Sequence, residues 1–118
     1  MTFIRSVLIF MLLTVSYAVA ADKEEGDASY YADKLEGNKT ASGEPYDKDA
    51  FTAAHRTLPF GTKVRVTYLK TGKSVDVVIN DRGPHSKNRI IDLSGAAAEE
   101  LGITDAGHGK VSLEVIEK

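Results

Sequence analysis

Between Ile79 and Ser94 the chain reads INDRGPHSKNRIIDLS, which sets two aspartates (Asp81, Asp92), two arginines (Arg82, Arg89) and a proline turn between apolar runs. Carboxyls can deliver a proton and can also stabilise developing positive charge, so such a pair is the first candidate for general acid–base chemistry. Glu44, in the loop GNKTASGEPYD, and His55, at the end of FTAAH, join the same inventory. Each has a plain structural reading beside the chemical one. Asp81 opens an Asp-Arg-Gly-Pro turn, where aspartate is favoured for its local hydrogen bonds. Glu44 in a Gly/Pro loop is by default a solvated charge. His55, among Ala53, Ala54 and Arg56, fits a partly buried, hydrogen-bonded histidine. Asp92 lies just ahead of Ser94, a natural helix N-cap, where the exposed N–H groups favour a carboxylate. Arg82 and Arg89 are suited to pairing with these acids or to binding an anionic substrate group. Tyr31 and Tyr46 offer flat faces, and Thr40 and Ser42 offer hydroxyls.

Composition removes several alternatives. With 118 residues the chain has room for one domain. It has no cysteine, hence no thiol nucleophile and no disulfide framework. Basic and acidic residues balance from Ala28 onward, without the basic footprint of a nucleic-acid binder. His55, His85 and His108 lack ligand spacing for a metal, no cofactor fingerprint is present, and no G-x-S-x-G elbow marks a serine hydrolase.

The elements that must position these residues are mostly short strands. Lys63 to Leu69 alternates, with Val64, Val66 and Tyr68 on one face, and Lys70 to Lys73 makes a Gly-containing turn. Ser74 to Asn80 returns with Val75, Val77 and Ile79 inward. If that strand runs one residue further, period two puts Asp81 on the same face, at the rim. Ser29 to Ala32, Arg89 to Leu93 and Lys110 to Ile116 read as further strands, and Asp47 to His55 is ambiguous. Ser94 caps a short helix, Ala96 to Leu101, which Gly102 ends. Gly37 to Asp47 is a long loop, the kind that carries function. Six or so strands with one or two short helices suggest a small closed barrel, mainly β, with an open groove rather than a deep pocket.

The N-terminus has Arg5, an apolar run from Val7 to Val15 and the triplet Ala18-Val19-Ala20. Residues 1–20 read as a secretory signal peptide, 21–27 as a flexible acidic leader and 28–118 as the domain. The expectation is an exported, periplasmic or secreted monomer, with no cysteine for a lipid anchor.

ASYYAD, KTASGEPYD, FTAAHRTLPFGTKVRVT, VVINDRGPHSKNRIIDLSGAAAEELGI and the last strand together resemble the rare lipoprotein A (RlpA) family, over nearly the whole of 28–118. That resemblance implies a six-stranded double-psi β-barrel. It also implies an endolytic lytic transglycosylase acting on peptidoglycan glycan strands, with a preference for strands stripped of their peptides. Such enzymes cut between N-acetylmuramic acid and N-acetylglucosamine without water, leaving a 1,6-anhydro end. Asp81, Glu44 and His55 match the family's functionally required positions, with Asp81 expected as general acid and Glu44 or His55 as base. Asp92, Arg82, Arg89, Tyr31 and Thr40 are the expected substrate contacts. Unlike usual family members, the chain lacks both the lipoprotein cysteine and a C-terminal peptidoglycan-binding repeat. A non-catalytic, expansin-like glycan binder is the second reading.

Overall fold

The computed structural model describes residues 23–118. The expected signal segment and its cleavage site lie outside the described residues. Six strands form the wall: β1 (Lys23–Tyr30), β2 (Thr52–His55), β3 (Lys63–Tyr68), β4 (Ser74–Asp81), β5 (Arg89–Leu93) and β6 (Gly109–Glu117). Helix α1 (Gly95–Leu101) lies between β5 and β6, and Asp33–Leu35 makes one 3-10 turn. The wall closes in the order β1-β5-β2-β4-β3-β6, which is the expected mainly β, six-stranded barrel.

Two seams are parallel, β1 with β5 and β2 with β4, and the rest are antiparallel. Parallel neighbours cannot be joined by a hairpin, so the chain must cross over. Consecutive strands β1 and β2 lie on either side of β5, and β4 and β5 lie on either side of β2. The two crossovers therefore interlock, as a double-psi barrel requires.

Alternation places the core. Val64 and Val66 of β3, Val77 and Ile79 of β4, Ile91 and Leu93 of β5 and Val111 of β6 are sealed inside, and α1 closes over them with Ala97, Ala98 and Leu101. Ser94 caps α1 as expected: its hydroxyl accepts the Ala97 N–H at 3.2 Å and donates to the Ala50 carbonyl at 2.6 Å. Gly102 ends the helix in the left-handed region. At Gly109 a β-carbon would come within 2.7 Å of the Tyr68 ring and 2.9 Å of Ile103, so this start of β6 has no room for a side chain.

The expectation of a flexible leader as far as Asp27 does not hold from Lys23 onward. Residues Lys23 to Asp27 are already β1, paired with β6 from Glu114 back to Lys110. Lys23, Glu24 and Glu25 face solvent, so the segment shows no apolar period, and its partners lie at the far end of the chain. The same strand ends at Tyr30 rather than at Ala32.

Register decides where Asp81 stands. Ala53 pairs with Ile79 on one side and Leu93 on the other, all three in the core. The next residue, Ala54, pairs with Asp81 and with Asp92, because a bulge leaves Asn80 as the extra residue of β4. The simple period-two expectation, which put Asp81 in the Ile79 row, fails at this bulge. An extra residue shifts the phase of everything after it. Asp81 on β4 and Asp92 on β5 thus share one row, on the two strands that flank β2 at Ala54.

Candidate active site

The Asp81 carboxylate is held by three donors. Oδ1 accepts the backbone N–H of Ala41 at 2.8 Å and that of Arg82 at 2.9 Å, and the Tyr31 hydroxyl donates to Oδ2. Tyr31 starts beside β5, its N–H bonded to the Leu93 carbonyl at 3.0 Å, so reaching Asp81 takes its side chain across β2 at the level of Ala54. A second tyrosine holds it there: the Tyr31 and Tyr46 rings stack at 4.4 Å, and Tyr46 is 2% exposed with its hydroxyl accepting the Gly95 N–H. Burial pushes the Tyr31 phenol well above its ordinary pKa, and the Asp81 hydrogen bond and the Asp81 and Asp92 charges push it further. This phenol stays a hydrogen-bond donor throughout the physiological range.

The loop after Tyr31 is ordered by its own hydrogen bonds. Gly37 N–H and Tyr46 O, Asn38 O and Tyr46 N–H, and Thr40 N–H and Glu44 O pair across it, and Gly43 takes the positive φ that the tip demands. Thr40, an expected substrate contact, is buried, and its hydroxyl closes the loop by donating to the Glu44 carbonyl at 2.7 Å. The tip docks on the end of β4 through Ser42 N–H to Asn80 O. Glu44 is thereby tied to Asn80, the residue before Asp81: its exposed carboxylate accepts from Asn80 Nδ2 at 3.3 Å.

Asp92 takes a different pair of partners. Arg89 Nη1 donates to its Oδ1 at 2.8 Å, and the Ser29 hydroxyl donates to the same oxygen. It makes no cap contact with α1, whose cap is Ser94 alone. Arg89 is committed to Asp92 and Ser29.

The His55 ring makes no hydrogen bond to Asp81, Glu44 or Asp92. It is 5% exposed, and Nδ1 accepts two backbone N–H groups, from Thr57 and Leu58, each at 3.1 Å. Nδ1 is therefore unprotonated, and Nε2 donates to Glu24 Oε1 at 2.9 Å. The His55 carbonyl accepts from Arg82 Nη1 at 3.1 Å.

Several residues carry the geometry without having been singled out in the sequence. Asn80 makes the bulge, Ala54 separates the carboxylates, Ser29 holds Asp92, and Phe60 lies under the Arg82 guanidinium at 4.2 Å from its ring centre. The small pair Ala53-Ala54 was the only visible signal among them. A hollow of about 980 Å³ lies elsewhere, against α1 between Asp33, Lys48, Phe51 and Glu99, and contains none of the carboxylates named above. Among the described residues, no three His, Asp or Glu side chains are set to hold a metal.

A family model described as "Lytic transglycolase" matches residues 23–113. The chain is 53% identical over 98 residues to the endolytic peptidoglycan transglycosylase RlpA of Neisseria meningitidis serogroup A, which covers 83% of this chain and 41% of that protein. It is 52% identical over 92 residues to the probable endolytic peptidoglycan transglycosylase RlpA of a Synechocystis strain, covering 78% and 29%. The chain thus spans well under half the length of these curated relatives. Among solved structures it is similar to the Streptomyces papain inhibitor, with a TM-score of 0.65 at 28% identity over 80% of this chain and 94% of that one. It is also similar to the apo expansin of Clavibacter michiganensis, with a TM-score of 0.63 at 26% identity over 81% and 51%. With its closed six-stranded barrel and a match that runs through every strand, the chain belongs to the double-psi-barrel lytic transglycolase family.

Proposed function

We propose that this domain is an endolytic lytic transglycosylase that cuts peptidoglycan glycan strands between N-acetylmuramic acid and N-acetylglucosamine, favouring strands without peptides. The observation that carries the reading is Asp81 at the β4 bulge, fixed by Tyr31, Ala41 and Arg82 with Glu44 tied to the preceding Asn80. Cleaving a glycosidic bond needs a proton for the leaving oxygen and stabilisation of an oxocarbenium-like transition state. Asp81 enters this step protonated, its own proton taking the place of the Tyr31 hydrogen bond at Oδ2, and gives that proton to the departing N-acetylglucosamine oxygen as the C1–O bond breaks; the carboxylate left behind is the form that Tyr31, Ala41 and Arg82 hold. The muramic acid C6 oxygen bonds to C1, and its proton passes to Glu44, the nearby exposed carboxylate. No water enters the products. Asp92 lies across Ala54 and contributes negative charge to the oxocarbenium face. His55 has both ring nitrogens engaged, so we assign it to positioning β2 and the Arg82 arm rather than to proton transfer. The names of the relatives support a cell-wall substrate, and hence a working place outside the cytoplasmic membrane.

The test is mass spectrometry of peptide-free glycan strands incubated with the protein and with Asp81→Asn. Anhydro-ended fragments from the unmodified protein alone are expected. Intact strands that still co-sediment with the protein would instead favour a glycan binder of the expansin kind, for which the expansin likeness is the supporting observation.

A further inference from the structure

The four arginines of the described residues divide sharply by what their guanidinium groups do. Arg56 donates to the carbonyls of Pro84, Ser86 and Arg89. Arg65 makes a two-point pair with Asp76, and Arg89 is taken by Asp92 and Ser29. Arg82 and Arg89 each spend one arm only, but Arg89 gives its Nη1 to the Asp92 carboxylate, whereas Arg82 Nη1 donates to the His55 carbonyl at 3.1 Å and grazes the Asp81 carbonyl at 3.5 Å, and its Nε and Nη2 meet no acceptor and no carboxylate among the described residues. The group is also held flat, its central carbon 4.2 Å from the centre of the Phe60 ring. Phe60 is 42% exposed, yet the turn beneath it is tied to β4 by the Gly61 N–H to Ile79 O bond at 2.8 Å. A planar cation on a fixed aromatic bed, with one edge of its fork unused and the adjoining backbone N–H bonded to Asp81, is built to receive a carboxylate in two-point fashion.

Resting on the function proposed above, we infer that Arg82, backed by Phe60, is a substrate-carboxylate reader. The group it takes is the free lactyl carboxylate of a muramic acid residue, bound next to Asp81. Arg89, the other candidate for this role, already has its charge paired with the Asp92 carboxylate. A strand whose lactyl group is blocked by an amide bond offers neither the charge nor the second oxygen. Arg82 thereby gives the chain a physical means of preferring peptide-free strands.

The decisive experiment measures binding apart from cleavage. Peptide-free strands, and the same strands with their lactyl carboxylates capped as methylamides, are titrated against the Asp81→Asn protein and against Asp81→Asn carrying Arg82→Gln, Arg82→Lys or Phe60→Ala. Losing a charge-assisted two-point contact should weaken binding roughly ten- to hundredfold. The Asp81→Asn protein should show that ratio between free and capped strands, Arg82→Gln should show none, and Arg82→Lys and Phe60→Ala should fall between. Phe60→Ala removes no hydrogen bond, so it reports on the same contact if Arg82→Gln fails to fold. Equal discrimination in all four proteins, or none in the Asp81→Asn protein, overturns the inference. Preserved discrimination together with no anhydro product from the unmodified protein would sink the transglycosylase reading while leaving the carboxylate reader standing.

Discussion

Tyr31 links the two carboxylates electrostatically, since both raise its pKa after burial has done so. The sign of the resulting pH dependence follows directly. In the unfolded chain the phenol ionises near the usual value of about 10, whereas in the folded protein it keeps its proton, so the unfolded state binds fewer protons above that point. This contribution to stability is complete below pH about 10 and declines as pH rises beyond it. Thermal melts between neutral and strongly alkaline pH should therefore show a steeper alkaline fall for the unmodified protein than for Tyr31→Phe, and parallel curves would refute the coupling. His55 gives the opposite kind of prediction. Replacing it by Ala strips the acceptor from two backbone N–H groups and should cost about 1–3 kcal/mol in denaturant unfolding. Turnover lost with stability unchanged would make the ring a proton acceptor after all. The candidate acids were legible from chemistry and spacing, but their partners were not. Thr40 offered a hydroxyl that turned out to close its own loop, and Ser29 and Phe60 are residue types too common on any surface to attract notice.

The strands show why legibility was uneven. β3 and most of β4 announce themselves by strict alternation, and α1 by a serine before it and a glycine after it. β1 does not, because Lys23 to Glu25 expose their side chains and the pairing partner is β6, at the other end of the sequence. A protein starting at Ala28 should accordingly unfold at lower denaturant concentration than one starting at Lys23. Coincident unfolding curves would mean that the pairing from Lys23 to Asp27 contributes nothing. The bulge at Asn80 was equally silent, since one extra residue leaves no mark on composition while it moves Asp81 into the Asp92 row. Ser94→Ala probes the helix end: an N-cap loss costs about 1 kcal/mol. The buried bond to the Ala50 carbonyl should take the measured value above that, and a neutral result would contradict the geometry.

At the scale of the whole molecule, the acid row lies outside the hollow against α1, with Glu44 exposed. A polymer can then lie across β5, β2 and β4 and extend past both sides. Early digests of long strands should contain fragments of many lengths, and a ladder of small end-derived products would argue against this. The interlocked crossovers have one more consequence. Asp92 arrives on β5, Asp81 on β4 and Tyr31 just after β1, and β5 reaches its place only by inserting between β1 and β2. Pairings this distant along the chain form late and slowly compared with local ones. No hairpin or helix intermediate can assemble the acid, its phenol clamp and the facing carboxylate. On the function proposed here, the acid and its partners exist as a site only once β5 has been drawn in between β1 and β2, so the site and the finished weave appear together.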